Sequence, residues 1–466
     1  MEQNISLVIA KSVIALIEAG VSEVEIAKVG VAFGTAERAA GWGPGLTILT
    51  AMVNVLPKLD AYGRILALSQ GLAHVARDCA GQSTRHMLQS LPTTNFSLER
   101  LAAWYRECVE VRDTQGAERV LLTAIEKGAD ENQLADMMLV AATDHFYLNG
   151  GHTFDFHNKA FEMLEHVGEA QRKTTLTSLV PLLANPSRSE ESQNWNAPVN
   201  LVKPLQEAFR ELPEIVNDMQ LVKAPELDEA QFVNQILSDD PLATVQVISQ
   251  TLKRGVLPAR VAQLVALAAA ERITRFHIQN DFGDWIAVLH TFTHAHAVHE
   301  RLLRGTDALA IRAIYYTAMR IYLDRFLNIP PARRPGTGKQ APQAYSTQPE
   351  ELLELMDQRQ QVSEAANWVA NYLNNNGDVD ALLNTLGHTL LREDAEFHSF
   401  QMYEAALNEY ERWASVDSPM SECAKETMLF ALTRYLAAHA PTARELPHVV
   451  RIAWRLQRGE KLFEEK

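Results

Sequence analysis

The stretch IEKGADENQLA, residues 125–135, is written so that one helix closes and the next opens. Gly128 suits the left-handed residue that ends a helix, because it has no Cβ to clash in that conformation. Asp130, just beyond it, suits the first position of the following helix, where a short carboxylate accepts from free backbone N–H groups. The same wording returns as IEAGVSEVEIA (17–27), LKRGVLPARVA (252–262) and LNNNGDVDALLN (373–384), around Gly20, Gly255 and Gly377. In each copy an apolar residue follows six positions after the glycine. Recurrence of one local pattern along a chain is the mark of an internally repeated architecture.

Outward from these joints, segments such as ERVLLTAIEKG, RVAQLVALAAAERITRFHI and DALLNTLGHTLLREDAEF place apolar residues three and four apart and are rich in good helix formers. Strand-like alternation is absent over any useful length. The sequence therefore predicts an all-α fold: pseudo-repeated helical hairpins packed as one large helical array. Pro, Gly and Ser interrupt the helical pattern at 185–200 and 328–350, which read as linkers or as arms lying across the protein. They divide the chain into 1–184, holding the first two repeats, 201–327 with the third, and 351–466 with the last.

The 466 residues are 47% hydrophobic and 22% charged, a globular composition with ample core. A net charge of −15 argues against sequence-independent binding to nucleic acid or to an anionic membrane, both of which want a basic field. The one local basic candidate is PPARRPGTGK (330–339). Cys79, Cys108 and Cys423 are far apart and lack C-x-x-C or C-x-H spacing, so no disulfide framework or cysteine-rich metal site is readable. The opening EQNISLVIAKSVIALIEAG has acidic residues where a signal peptide needs basic ones, and no apolar run spans a membrane. A cytoplasmic location is the expectation.

Sixteen residues after the glycines stand Asp144, Glu271 and Glu393; the first copy has Ala36 there, beside Glu37. Each of the three is followed by a histidine tripeptide: His152-Thr-Phe, His290-Thr-Phe and His398-Ser-Phe, against Leu46-Thr-Ile in the first copy. Helical cores build metal sites from carboxylates and histidines on facing helices. These six residues are therefore the candidate ligands of a transition metal, iron first. His145 and His294 are the candidate proton-transfer residues. The competing account is local: a histidine that bonds a nearby carbonyl, a carboxylate that pairs with a basic residue.

One turn beyond His290, His294 shares its face, whereas His296 and His299 fall on the other side and read as packed, hydrogen-bonded core. His152, Asp155, Lys159, Glu162 and His166 form one stripe, in which an i,i+4 pair of Asp155 with Lys159 is the simplest reading. P-loop, G-x-G-x-x-G and G-x-S-x-G signatures are missing, so the nucleotide-fold and serine-hydrolase classes lack support.

GWGPGLTILTAMVNVLP, TDHFYLNGGHTFDFHNKAFEMLEHVG, YLDRFLNIPPARRP and EDAEFHSFQMYEA resemble the helical region found ahead of a Rieske [2Fe–2S] domain in bacterial proteins. That region is distantly similar to the questin-oxidase-like family. The resemblance implies a helical oxidoreductase of mono-oxygenase type, acting with oxygen on an apolar, aromatic small molecule. EAGVSEVEIA also resembles the carboxymuconolactone decarboxylase and alkylhydroperoxidase group, without that group's redox C-x-x-C. The chain has no C-x-H…C-x-x-H pattern, so the resemblance implies either a separate electron-donor protein or chemistry that needs no electron supply. Two other readings stay open: a non-catalytic helical interaction module gripping a partner through 328–350, or an electron-transfer partner, and a haem protein with paired histidines.

Overall fold

The computed structural model describes residues 1–92, 95–146, 148–188, 191, 199–219, 226–337 and 348–460. Among them the secondary structure is α-helix with short 3-10 turns, and no strand occurs. The repeats are four-helix units. Each opens with a hairpin: Ser6–Glu18 with Glu23–Ala36, Thr114–Glu126 with Glu131–Thr143, Pro241–Lys253 with Pro258–Thr274, and Val362–Asn374 with Val379–Leu391. A core helix follows in each (Pro44–Val55, His152–Val167, Phe282–Arg304, Phe397–Ala414), then a flanking helix packed on it (Ala61–Cys79, Arg172–Ala184, Ala308–Asp324, Ser421–His439).

The joints form as the sequence grammar requires. Gly20, Gly128 and Gly255 have φ of +82°, +86° and +89°. Ser22, Asp130 and Asp378 each accept a backbone N–H of the next helix, and Pro258 opens the third. The fourth joint differs: the left-handed residue is Asn376, at φ +56°. Gly377 is needed for another reason, because a Cβ there would stand 2.2 Å from the Tyr372 ring.

The four core helices form a central bundle in which the Pro44 helix touches the His152 and Phe397 helices, and the Phe282 helix touches the same two. Successive units thus close into a ring instead of extending as an open solenoid. The helix Ser6–Glu18 packs on Glu445–Gln457 as part of that closure. Segments 1–184, 201–327 and 351–466 all contribute to one bundle. Pro44–Val55 is buried along almost its whole length, as a helix apolar on every side must be.

Of the two irregular stretches, 189–190, 192–198 and 338–347 lie outside the described residues. The described part of the second runs across its own protein. Ala332 donates its N–H to the Arg275 carbonyl at 2.7 Å, and Arg334 reaches Glu271 and the Thr427 hydroxyl, both at 2.8 Å. One charge of the PPARRPGTGK basic patch is thereby spent inside the fold.

Candidate metal centre

At one end of the bundle His152, His290 and His398 come together, with one ring nitrogen from each within 4.8 Å of the others. His152 is the first residue of its helix, set there by a turn in which Gly150 and Gly151 have φ of +63° and +97°. Gly150 lies over the third unit's histidine: a Cβ would stand 3.3 Å from His290 Nδ1. His398 is the second residue of its helix, whereas His290 sits two turns inside Phe282–Arg304. The Nε2 atoms of His290 and His398 are 2.8 Å apart, and the His152 ring lies 4.4 Å from that of His290 and 5.6 Å from that of His398. Ligand bonds of about 2.1 Å put two nitrogens on one tetrahedral ion about 3.4 Å apart. The His290–His398 nitrogen separation of 2.8 Å is shorter than that value and the three ring nitrogens all lie within 4.8 Å of one another, so side-chain rotations can bring the set onto one ion.

Electrostatics favours neutral rings. Burial, then the nearby His398, pushes His152 down to about 4. Burial together with His152, His398 and Arg320 pushes His290 down to about 2. The positive N-terminal ends of the His152 and Phe397 helices act in the same direction. Neutral imidazole is the form that ligates a metal.

Glu396, which sequence reasoning missed, organises the group. It caps the Phe397 helix, accepting the backbone N–H and the Nδ1–H of His398, both at 2.7 Å. Its other oxygen accepts from Ser399 at 2.7 Å and from the Tyr435 hydroxyl at 3.2 Å. Burial pushes its carboxyl upward, but the bonds from His398 and Ser399 outweigh that and hold it down at about 2. An ionised Glu396 fixes the proton of His398 on Nδ1 and turns the Nε2 lone pair toward its neighbours, as carboxylates behind ligating histidines do. Phe156 and Phe397 flank His152 at ring distances of 5.2 and 5.6 Å.

The three carboxylates expected beside these histidines are not there. Asp144 is held by Arg106, whose Nε and Nη2 donate at 2.6 Å each, and by Arg312 at 3.0 Å. Glu271 pairs with Arg334. Glu393 accepts from Arg444 Nε at 2.9 Å and from the Thr442 backbone N–H at 2.7 Å. All three stand at or near the end of the second helix of a hairpin, outside the core bundle, where an arginine from elsewhere in the chain ties that end down. Their equal spacing reports equal local structure. Nor do the two expected proton-transfer histidines join the cluster. His145 donates to Glu110 at 2.9 Å in a surface cleft, and His294, pushed down to about 3 by burial and Arg320, is hydrogen-bonded to Thr317 at 2.8 Å.

Below the histidines the bundle axis is polar. Asp155, one turn on from His152, is pushed up to about 7 by burial, a rise that the charge of Lys159 and the donated amide of Gln401 only partly oppose. Lys159 does not pair with Asp155. Its ammonium donates to Glu162 at 2.8 Å and to both oxygens of Glu404 at 2.8 and 2.7 Å, and it is 1% exposed. Asn54, from the unit without a histidine, donates to both carboxylates at 2.9 and 3.0 Å. One layer further, Glu409 accepts from His296 Nδ1 at 2.9 Å and His299 Nδ1 at 2.8 Å. Contacts at matching depth from three units require these core helices to run in the same direction.

Glu162, His296 and Glu404 also lie close enough to share an ion, but the Lys159 ammonium already sits between both carboxylates there and donates to each. His296 Nε2 stands 3.8 Å from Glu404, an ion-pair distance too long for a hydrogen bond. Burial pulls His296 down, yet Glu404 and Glu409 overcome it and raise it to about 10. An ordinary unfolded histidine titrates near 6.5, so folding takes up a proton between those values. The stabilisation is complete below about pH 6.5 and is lost as pH rises through 10. Thermal unfolding from pH 7 to 10 should show stability falling by up to about 1.4 kcal/mol per pH unit, a slope that His296→Gln abolishes.

No protein-family model, curated protein or solved structure matches the chain.

Proposed function

We propose that the chain is a metal-dependent oxidoreductase of mono-oxygenase type, in which His152, His290 and His398 hold a transition metal, iron first, that activates oxygen against an apolar small molecule. The observation that carries the reading is the meeting of three histidines from three units, two of them held neutral and one oriented by an ionised carboxylate. The resemblance of the core segments to the Rieske-linked helical region supports the oxidative part, and with it a separate electron-donor protein. A bound iron supplies the electron exchange with dioxygen that these side chains lack. The protein's own contribution is to bind through three rings, to orient His398 through Glu396, and to exclude water with Phe156 and Phe397. Asp155, poised near neutrality a turn below, would hold the proton a reaction releases or needs. A haem between His290 and His398 is disfavoured, because their 2.8 Å contact leaves no gap for a porphyrin plane.

Elemental analysis of protein purified without added metal should find close to one iron per chain, with no haem band in the visible spectrum. Metal-free protein with unchanged melting would end the metal reading. Glu396→Gln should keep the fold and weaken metal binding by about 10–100-fold, the usual cost of removing a ligand's outer partner. Competition against a chromogenic chelator measures it.

A further inference from the structure

In a chain of net charge −15, one pocket is lined by three arginines and two histidines. It has a volume of about 470 Å³ and lies between the Ala61–Cys79 helix, the end of Val379–Leu391 and the start of Glu445–Gln457. Arg392, Arg444, Arg451, His388 and His448 face it beside Tyr62, and no carboxylate lines it among the described residues. We propose that this pocket binds the phosphate groups of a small phosphorylated molecule, at a site separate from the three histidines.

The acids nearby do not line the pocket but hold the side chains that do. Asp357 pairs with Arg392 at 3.0 Å and with Arg444, Glu393 holds Arg444, and Asp60 accepts from His388 Nε2 at 2.8 Å. A guanidinium has five donors in a planar fork, so one bound on one edge still presents another. Arg451 is different. Its one hydrogen-bond contact is donation to His448 Nδ1 at 2.7 Å, and no carboxylate lies within ion-pair distance of it among the described residues. Its charge is therefore open to a ligand. The Tyr62 hydroxyl likewise has no protein partner among the described residues, while its ring is fixed by stacking at 16° to His388 and by the edge of Trp454.

Forked guanidinium donors match phosphate oxygens in geometry, and Arg451 adds one positive charge that no acid among the described residues balances. The volume is that of a small-molecule site, and the negative field of the whole chain disfavours a nucleic acid in its place. The free N–H groups opening Glu445–Gln457 take no part, since Asp394 already accepts from Glu445 and Leu446 at 2.8 and 2.9 Å. Recognition rests on side chains.

The test is calorimetric titration of the full chain with inorganic pyrophosphate at low ionic strength. One saturable site is expected, weakened at least tenfold by Arg451→Gln, a surface change that should leave melting unaltered, and weakened by added salt. Titrating adenosine monophosphate and inorganic phosphate in parallel separates sources: tighter binding of the former, reduced by Tyr62→Leu, identifies a nucleotide, and equal binding of the two identifies the bare phosphate group. Pyrophosphate held by a metal would be lost in His290→Ala and retained in Arg451→Gln, the opposite of the expected pattern. That outcome, or the absence of saturable binding to folded protein, overturns the proposal without touching the metal reading.

Discussion

Lys159→Met should unfold with a stability about 3–5 kcal/mol below that of the wild-type chain. The lysine is 1% exposed and stands between Glu162 and Glu404, which are 4% and 0% exposed. Methionine fills most of the volume, so the loss measures charge and not a cavity. Taking one partner from a buried ion pair leaves the other charges without water and without compensation. Burial opposes the charge on Lys159, yet the adjacent Glu162 and Glu404 raise its affinity for a proton, and Glu404 is held below the usual carboxylate range against the same burial. Urea unfolding of Lys159→Met beside the triple variant that also carries Glu162→Gln and Glu404→Gln separates the effects. The triple variant should recover part of the loss, because an uncharged cluster needs no counter-ion. A Lys159→Met loss under about 1 kcal/mol would mean that water or a proton, not the lysine, balances the acids.

The second large effect is on metal binding. His290→Ala removes the ring that touches both other histidines, and affinity should fall on the order of a thousandfold, more than the loss of an outer partner costs. His294→Ala, one turn along the same helix, removes a ring bonded to Thr317 and should leave affinity within about twofold, although the cavity left by a buried ring lowers stability by about 2–5 kcal/mol. Equal metal binding in the two variants would place the ion elsewhere.

Much of the architecture could be read from the residues because it is local. A glycine or asparagine that closes a helix, a capping Ser or Asp and a stretch of apolar period are decided within a few positions, and the hairpins stand where IEKGADENQLA and its copies put them. Which side chains meet across the core is decided elsewhere. Asp144, Glu271 and Glu393 occupy matched places, but their partners Arg106, Arg312, Arg334 and Arg444 follow no repeat, so no period announces them. Glu396 left a faint signal in EDAEFHSF, as an acid two residues before a histidine at a helix start, where capping geometry folds its carboxylate back onto both the backbone and the ring. The stripe from His152 to His166 was visible as a face. Its meaning depends on Glu404 and Asn54, far away in sequence.

That distance has a consequence in time. Lys159 and Glu404 are 245 residues apart, and His290 and His398 are 108. Helices can form early from their own sequence, but bonds of such separation wait until the intervening chain has been gathered in. Before the last unit docks, the acids and the lysine of the axis have no reason to leave water. Ion capture by the histidines would thus serve as a clock for the final step of assembly, appearing after helical signal is complete.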